Sequence, residues 1–362
     1  MDNSDIARKV FWGILEFGPR DLLAVSQLIG VPYHKVYATF WRFYNDYKLT
    51  IWASPNLNAL GLGTVYFDIK PTKEYRRTLY NAFFKVSNLN MLVIDANDYS
   101  TIVGSLYVPF PSRRSYVGFF EYLKSQGVIE SYSSAFYETK HRYGLIVDYF
   151  DWEVGDYRFD WGSLIERTPE TSPIQSSVSL ADRIDVYILK ELEADALQSF
   201  RNMSESLKRH NLVLSSRVLM YHYNSHIVPR KLLSRYRIFR NLKGILRIDY
   251  ICEVREKNKE LFYSSIRRIP YLDVEFLDSS HDLHVSNFYV PYHDYTNFTN
   301  YFLKHVSPYC EHVKGHMSLS GQRVSVTIPY ELFKDKQGWV YNPLEQAQRV
   351  IDEARSLVSP RA

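Results

Sequence analysis

Cysteine is almost missing from this chain of 362 residues. Its two copies, Cys252 and Cys310, fit no metal-ligand spacing and are too few for a disulfide framework, so a reducing, cytoplasmic setting is expected. No apolar run approaches the roughly eighteen residues a membrane span needs, and the N-terminus lacks a basic region followed by an apolar one. Neither secretion nor membrane spanning is therefore expected. Also missing are GxxxxGKS/T, GxSxG, HExxH and GxGxxG, and "GLG" at Gly61 to Gly63 reads as a hinge. The expectation is accordingly a protein that is not an enzyme and that carries no cofactor and no metal.

One further absence is local. Net charge is only +4, yet no acidic residue occurs between Glu205 and Asp249, a window holding ten basic ones: Lys208, Arg209, Arg217, Arg230, Lys231, Arg235, Arg237, Arg240, Lys243 and Arg247. Residues 137–178 show the reverse, with eight acids against four bases. Such asymmetry points to a polyanionic partner.

What the chain does contain, it contains twice. "LYVPF" (Leu106 to Phe110) returns as "FYVPY" (Phe288 to Tyr292), 182 positions later. At about the same offset "HKVYATFW" lies over "SRVLMYHY" and "YRFD" over "WVYN", so the chain reads as two copies of one unit of about 180 residues.

Each unit starts with three predicted helices. In the first copy Ser4 caps a helix with Ile6, Val10 and Ile14 on one face, "RDLLAVSQLIG" forms the second, and Pro32 opens the third, "PYHKVYATFWRFYND". Val36, Phe40 and Phe43 make its buried stripe, leaving His34, Lys35 and Arg42 outward, and "LTIWAS" reads as a wing strand. The second copy repeats this in "LADRIDVYILKEL", "NMSESLKRH", "SSRVLMYHYNSH" and the wing "LLSRYRIFR". The remainder of each unit reads as βαββαβ, the ferredoxin-like split. The predicted fold class is α+β, two winged helix-turn-helix modules each followed by a ferredoxin-like sandwich. Expected boundaries are 1–58 and 59–138 for the first copy, 139–178 for an aromatic tail and linker, 179–242 and 243–320 for the second, and 321–362 for a hairpin and amphipathic helix capped by Asn342. "IERTPETSPIQSSVS" (Ile165 to Ser179) is the expected linker between copies.

The stretches "DLLAVSQLIGVPYHKVYATF", "SPNLNALGLGTVYFDI", "DVYILKEL", "SSRVLMYHYNSHIVPRKLLSRYRIF" and "NLKGILRIDYI" resemble the leucine-responsive regulatory protein / AsnC family of transcription regulators. That resemblance implies double-stranded DNA as partner, a possible small-molecule effector, and pairing of the sheet modules as a homodimer or an intramolecular pseudo-dimer. Arg217, Tyr221, His222 and Asn224 would approach base edges, and Arg230, Lys231, Arg235, Arg237 and Arg240 the backbone, with His34, Lys35 and Arg42 as the first copy's counterparts. The family's effector-binding turn falls at "ANDYS" and "SSHDL", offering Asp98 and Asp282. Neither turn has the family's glycine.

Two other readings compete with site-specific regulation. An architectural, sequence-independent DNA binder would use the same basic surface. A family of haem-precursor decarboxylases has a similar architecture, and His281, His284, Arg267 and Arg268 could be cast in its roles. The pairs His222/His226, His281/His284 and His312/His316 invite a metal hypothesis, but no Cys or Glu completes a set at a recognisable spacing.

Overall fold

The structure, a computed structural model, describes residues 3–166, 181–208, 212–240, 244–277, 282–319 and 324–358. The predicted linker falls almost wholly outside them. Helices α1 (Asn3–Phe17), α2 (Leu22–Ile29) and α3 (Tyr33–Asp46) form the first trihelical set. Asp21 caps α2 by accepting the Ala24 N–H at 2.9 Å, and Gly30 ends it in the left-handed conformation that favours glycine. Val36, Phe40 and Phe43 are the buried stripe of α3, as its spacing predicts.

Strand β1 (Leu49–Pro55) is followed by the first sandwich: β2 (Leu62–Pro71), a short α4 (Leu79–Ala82), β3 (Leu89–Ile94), β4 (Ile102–Pro109), α5 (Val117–Ser125) and β5 (Ile129–Tyr137). The helix predicted over "KEYRRTLYNAFFKV" shrinks to α4 and a 3-10 turn. Its start is held elsewhere, because the Thr72 N–H donates to the Val128 carbonyl and its hydroxyl to that of Gly127. Next come β6 (Thr139–Arg142) and a small hairpin of β7 (Phe150–Asp151) and β8 (Asp156–Tyr157).

The second copy supplies α6 (Arg183–Ala194), α7 (Phe200–Lys208), α8 (Ser216–His222) and β9 (Leu233–Arg240). Its sandwich comprises β10 (Ile245–Glu253), α9 (Lys259–Ile266), β11 (Leu272–Leu277), β12 (Leu283–Pro291), α10 (Tyr295–His305) and β13 (His312–Leu319). Strands β14 (Val324–Ser325), β15 (Phe333–Lys334) and β16 (Gly338–Trp339) precede the terminal α11 (Pro343–Val358), which Asn342 caps as predicted through the Leu344 and Glu345 N–H groups. The class is therefore α+β with two ferredoxin-like sheets.

The two copies exchange parts. β6, which follows the first sandwich, pairs with β11 at the edge of the second sheet, and β14 pairs with β3 at the edge of the first. One edge of each sheet is thereby covered by a strand of the other copy. Helix α11 packs Ala347, Val350, Ile351 and Ala354 against the first sandwich, while Tyr157, Phe159 and Trp161 of the first tail pack onto the second.

The predicted wings are not wings. β1 and β9 pair with each other, Ile51 opposite Ile238 and Ala53 opposite Tyr236, and both trihelical sets close over this ribbon in one core. At the end of α1, Gly18 has φ 80°, and a Cβ there would lie 2.3 Å from the Tyr236 ring. Only glycine fits that crossing.

The inner faces of the two sheets meet through Tyr66, Met91, Val93, Val103, Tyr137, Val274, Phe276 and Val285. This is the pairing expected of a pseudo-dimer, made within one chain. Phe276 lies 5.7 Å from the ring centres of both Tyr66 and Tyr137. Phe276→Ala leaves a cavity between the sheets and should cost about 3–5 kcal/mol, read from denaturant unfolding.

Candidate functional site

Strand alternation decides what else faces the seam between the sheets. Besides apolar residues, the inner faces carry Asp68 on β2, Ser105 and Tyr107 on β4, Arg247 and Asp249 on β10, Asn287 on β12, and Lys314, His316 and Ser318 on β13. Buried charge is costly unless paired. Arg247 clasps Asp249 through Nη2 at 2.9 Å from both carboxylate oxygens, and Asn287 Nδ2 donates to Asp249 Oδ1 at 2.5 Å. At one end of the seam Arg142 binds Glu193 at 2.7 Å and donates to the Tyr107 hydroxyl at 2.7 Å, while Glu193 Oε2 accepts the Ile328 N–H. Burial, reinforced by Glu193, holds the Tyr107 hydroxyl far above its ordinary pKa despite the neighbouring Arg142.

A different arrangement sits where the copies meet at β13. His316, buried, places Nδ1 2.7 Å from Asp95 Oδ2. Asp95 is itself fixed, its Oδ1 accepting the N–H groups of Asn97 at 3.0 Å and Met317 at 3.1 Å. His316 Nε2 is buried with no hydrogen-bond partner among the described residues and lies 4.0 Å from Asp68 Oδ2, whose other oxygen is 2.9 Å from Lys314 Nζ. The Lys314 side chain is half exposed. Asp68 and Asp95 come from the first copy, and Lys314 and His316 from the second. The result is an imidazole oriented at one nitrogen by a carboxylate, free at the other, beside an accessible ammonium. That set can bind a carboxylate and transfer a proton.

Only one end of the pseudo-symmetric sandwich carries it. Counted from the paired prolines, with Leu62 opposite Pro109 and Ile245 opposite Pro291, Asp249 occupies the place of Tyr66. Their partners on the outer strand are His316 and Ala135 respectively. From β2 to β10 the offset is thus 183, one more than the sequence match suggests, whereas on the outer strand it is 181.

The residues predicted to bind DNA are dispersed. Arg237 is buried and pairs with Asp273 at 2.9 Å, Arg247 is buried on Asp249, Arg235 lies over the Tyr143 ring, and Arg240 lies over the Tyr47 ring. Because β9 is a partner of β1, Arg237 points into the molecule and its expected contact with DNA is corrected, while Arg235 and Arg240 are half-buried against those rings. His222 likewise turns inward, 2.9 Å from Asp185, and Arg230 lies 3.8 Å from the same carboxylate. Arg217, Tyr221, Asn224 and Lys231 are exposed on and after α8, and His34, Lys35 and Arg42 on α3. Arg209, Lys243 and His281 lie outside the described residues.

Asp98 is engaged by its own turn. Hydrogen bonds from Ser100 and Thr101 pull its pKa down to about 2, and Lys70 lies 3.7 Å away. Asp282 pairs with Lys259 at 3.2 Å.

His284, one of the residues that the decarboxylase reading selects, is buried beneath α9 against Phe262 and Tyr263, with Glu275 3.5 Å from its Nε2. Arg267 joins Glu275 at 2.8 Å, and the Tyr143 hydroxyl donates to the same carboxylate. Burial, then the charge of Arg267, lowers the His284 pKa to about 3, and burial with Arg267 and Arg235 lowers that of His141 to about 4. Both rings are thus neutral when folded and charge readily when unfolded. Stability should be intact above about pH 6.5 and fall between there and pH 3–4, by up to about 1.4 kcal/mol per pH unit per ring. Denaturant midpoints measured against pH test this, and His284→Leu should reduce the slope.

The site residues that sequence reasoning passed over are Asp68, Asp95 and Lys314, with His316 noticed only as one of a histidine pair. The available signal was alternation on β13, where Lys314, His316 and Ser318 make a polar stripe facing inward.

No protein-family model matches the sequence, and no curated protein matches it. Solved structures do. Two crystal structures of the siroheme decarboxylase NirDL match 99% of this chain and 100% of theirs with TM-score 0.55, at 11% and 12% identity; the second is a co-complex with an iron-uroporphyrin III analogue. The fold is that of NirDL from end to end. Escherichia coli AsnC matches 41% of this chain and 99% of its own, at 10% identity and TM-score 0.31. NirDL accounts for nearly all of the chain. Since NirDL is an enzyme, the full-length match overturns the expectations of a DNA-binding regulator and of a chain that is not an enzyme. The buried Arg237 of β9 agrees with that correction.

Proposed function

We propose that the chain binds a carboxylated tetrapyrrole at the seam between its two sandwiches and removes a side-chain carboxyl group as CO2. The observation that carries the reading is the His316 to Asp95 pair, assembled from both copies beside Lys314 in an architecture shared with NirDL. Lys314 supplies a cation for a substrate carboxylate. As the bond between the carboxyl carbon and its methylene breaks, CO2 leaves and the electron pair passes into the conjugated macrocycle. His316 Nε2 then delivers a proton to the methylene carbon, and solvent reprotonates the ring, so each turnover consumes one proton. Asp95 accepts Nδ1–H and so fixes the orientation of the ring for this delivery. Asp68, 2.9 Å from Lys314, keeps the ammonium in place until a substrate carboxylate competes for it.

Binding is tested apart from chemistry by titrating the protein with iron-uroporphyrin III. A saturable shift of the Soret band is expected, with Lys314→Ala weakening it about tenfold, the loss of one charge-assisted contact. A Soret band unmoved by the wild-type protein would contradict the reading.

A further inference from the structure

A second cluster lies in the other half of the molecule, outside the seam. Helix α6 begins with a capping box: Asp182 Oδ1 accepts the N–H groups of Ile184 and Asp185 at 2.9 Å each, and Asp185 Oδ2 accepts the Asp182 N–H at 3.1 Å. Both carboxylates are thereby fixed at a helix N-terminus. Facing them, His222 ends α8 and His226 lies in the π-helical turn Tyr223–Ile227, a wider turn of the kind often found at functional sites. Their ring centres are 4.5 Å apart. His222 Nδ1 is 2.9 Å from Asp185 Oδ1 and 3.5 Å from Asp182 Oδ2, and His226 Nδ1 is 3.2 Å and 3.6 Å from the same atoms.

One ligand atom from each of the four residues falls within 4.8 Å of all the others. Tetrahedral zinc with bonds of 2.0–2.2 Å sets its ligands about 3.4 Å apart. The nitrogen-to-oxygen separations straddle that value. Two carboxylates and two imidazoles also form the nitrogen and oxygen set that first-row divalent metals accept, and two negative charges balance one divalent cation. Asp185 is wholly buried, and the only cation within 4 Å of it besides the two imidazoles, among the described residues, is Arg230 at 3.8 Å. The backbone N–H groups on Asp182 and Asp185 supply the outer contacts that orient metal-binding carboxylates. Asp182, with 42% of its side chain exposed, leaves an entry path.

The geometry points to a divalent zinc-type site formed by Asp182, Asp185, His222 and His226, which clips α8 to the start of α6. The metal would replace the Nδ1 hydrogens as the bridge, each imidazole keeping its proton on Nε2. Leu219 is the one buried residue of α8, so the clip would set the position of a helix otherwise held by little apolar contact. The site is independent of the seam, and its existence does not require the proposed decarboxylation.

The full chain, stripped with chelator and desalted, is titrated with Co2+ as an optical substitute. The proposal expects one Co2+ per chain with the intense visible bands of a four-coordinate ion, bleached by Zn2+. His226→Asn and Asp182→Asn should each weaken binding at least about tenfold, whereas His316→Asn should leave the bands unchanged. Circular dichroism checks each variant for folding, and the exposed Asp182 carries the test if His226→Asn does not fold. No binding by the wild-type chain, a weak six-coordinate spectrum, or bands that survive in a folded Asp182→Asn protein would overturn the proposal.

Discussion

His316→Ala should lower the rate of carboxyl removal by about a hundredfold to ten-thousandfold, the usual contribution of a positioned acid or base, while leaving the Soret titration close to wild type. The separation of these readouts follows from the site. Lys314, not His316, is placed to meet the substrate carboxylate, whereas the stability lost with the His316 Nδ1 contact to buried Asp95 is read separately from unfolding. Asp95→Asn should give a smaller loss than His316→Ala. It keeps an oxygen to accept Nδ1–H but removes the negative charge beside the ring. If His316→Ala instead abolished binding together with turnover, the residue would be a binding group and the assigned proton transfer would lie elsewhere.

The second large effect concerns stability. Arg237→Ala should destabilise the protein by about 3–5 kcal/mol, because it leaves Asp273 buried with its charge uncompensated. Arg237 and Asp273 are each 5% exposed and sit 2.9 Å apart. Arg217→Ala, on the exposed face of α8, should change stability by no more than about 0.5 kcal/mol. Urea unfolding of both variants distinguishes an inward β9 from a basic wing, since on a wing both arginines would be dispensable for folding. Replacing Arg237 and Asp273 together by Met and Leu should recover much of the loss, as apolar replacements of buried ion pairs often do.

Much of this architecture is legible in the sequence. Local signals predict α1 to α3, the capping of α11 and the β-strands of both sandwiches, because periodicity, caps and turn residues act over a few positions. The "YVP" phrase reveals the duplication, and two uncovered sheet faces imply the pairing of the modules. What escapes is set by contacts between the copies. The exchange of β6 and β14 depends on which edge each strand can reach, and β1 with β9 forms a ribbon only because the two trihelical sets share a core. Charge counting along the chain fails because folding joins residues distant within the second copy. Asp273 and Asp185, 36 and 37 positions away, absorb Arg237 and His222, so an acid-free window in sequence is not an acid-free surface. The seam site is hidden likewise: Asp95 and His316 are 221 positions apart. No spacing rule connects them, and alternation on β13 shows only that His316 faces inward.

The central claim is that the seam removes carboxyl groups, and one measurement addresses it directly. An iron tetrapyrrole bearing acetate side chains is incubated with the wild-type chain and with His316→Ala, and the pigments are analysed by mass spectrometry. The account predicts products lighter by one or more CO2 units, with acetate converted to methyl, and a rate that collapses in His316→Ala. Recovery of the pigment with all its carboxyl groups from a wild-type protein that binds it, or equal product from both proteins, would contradict it.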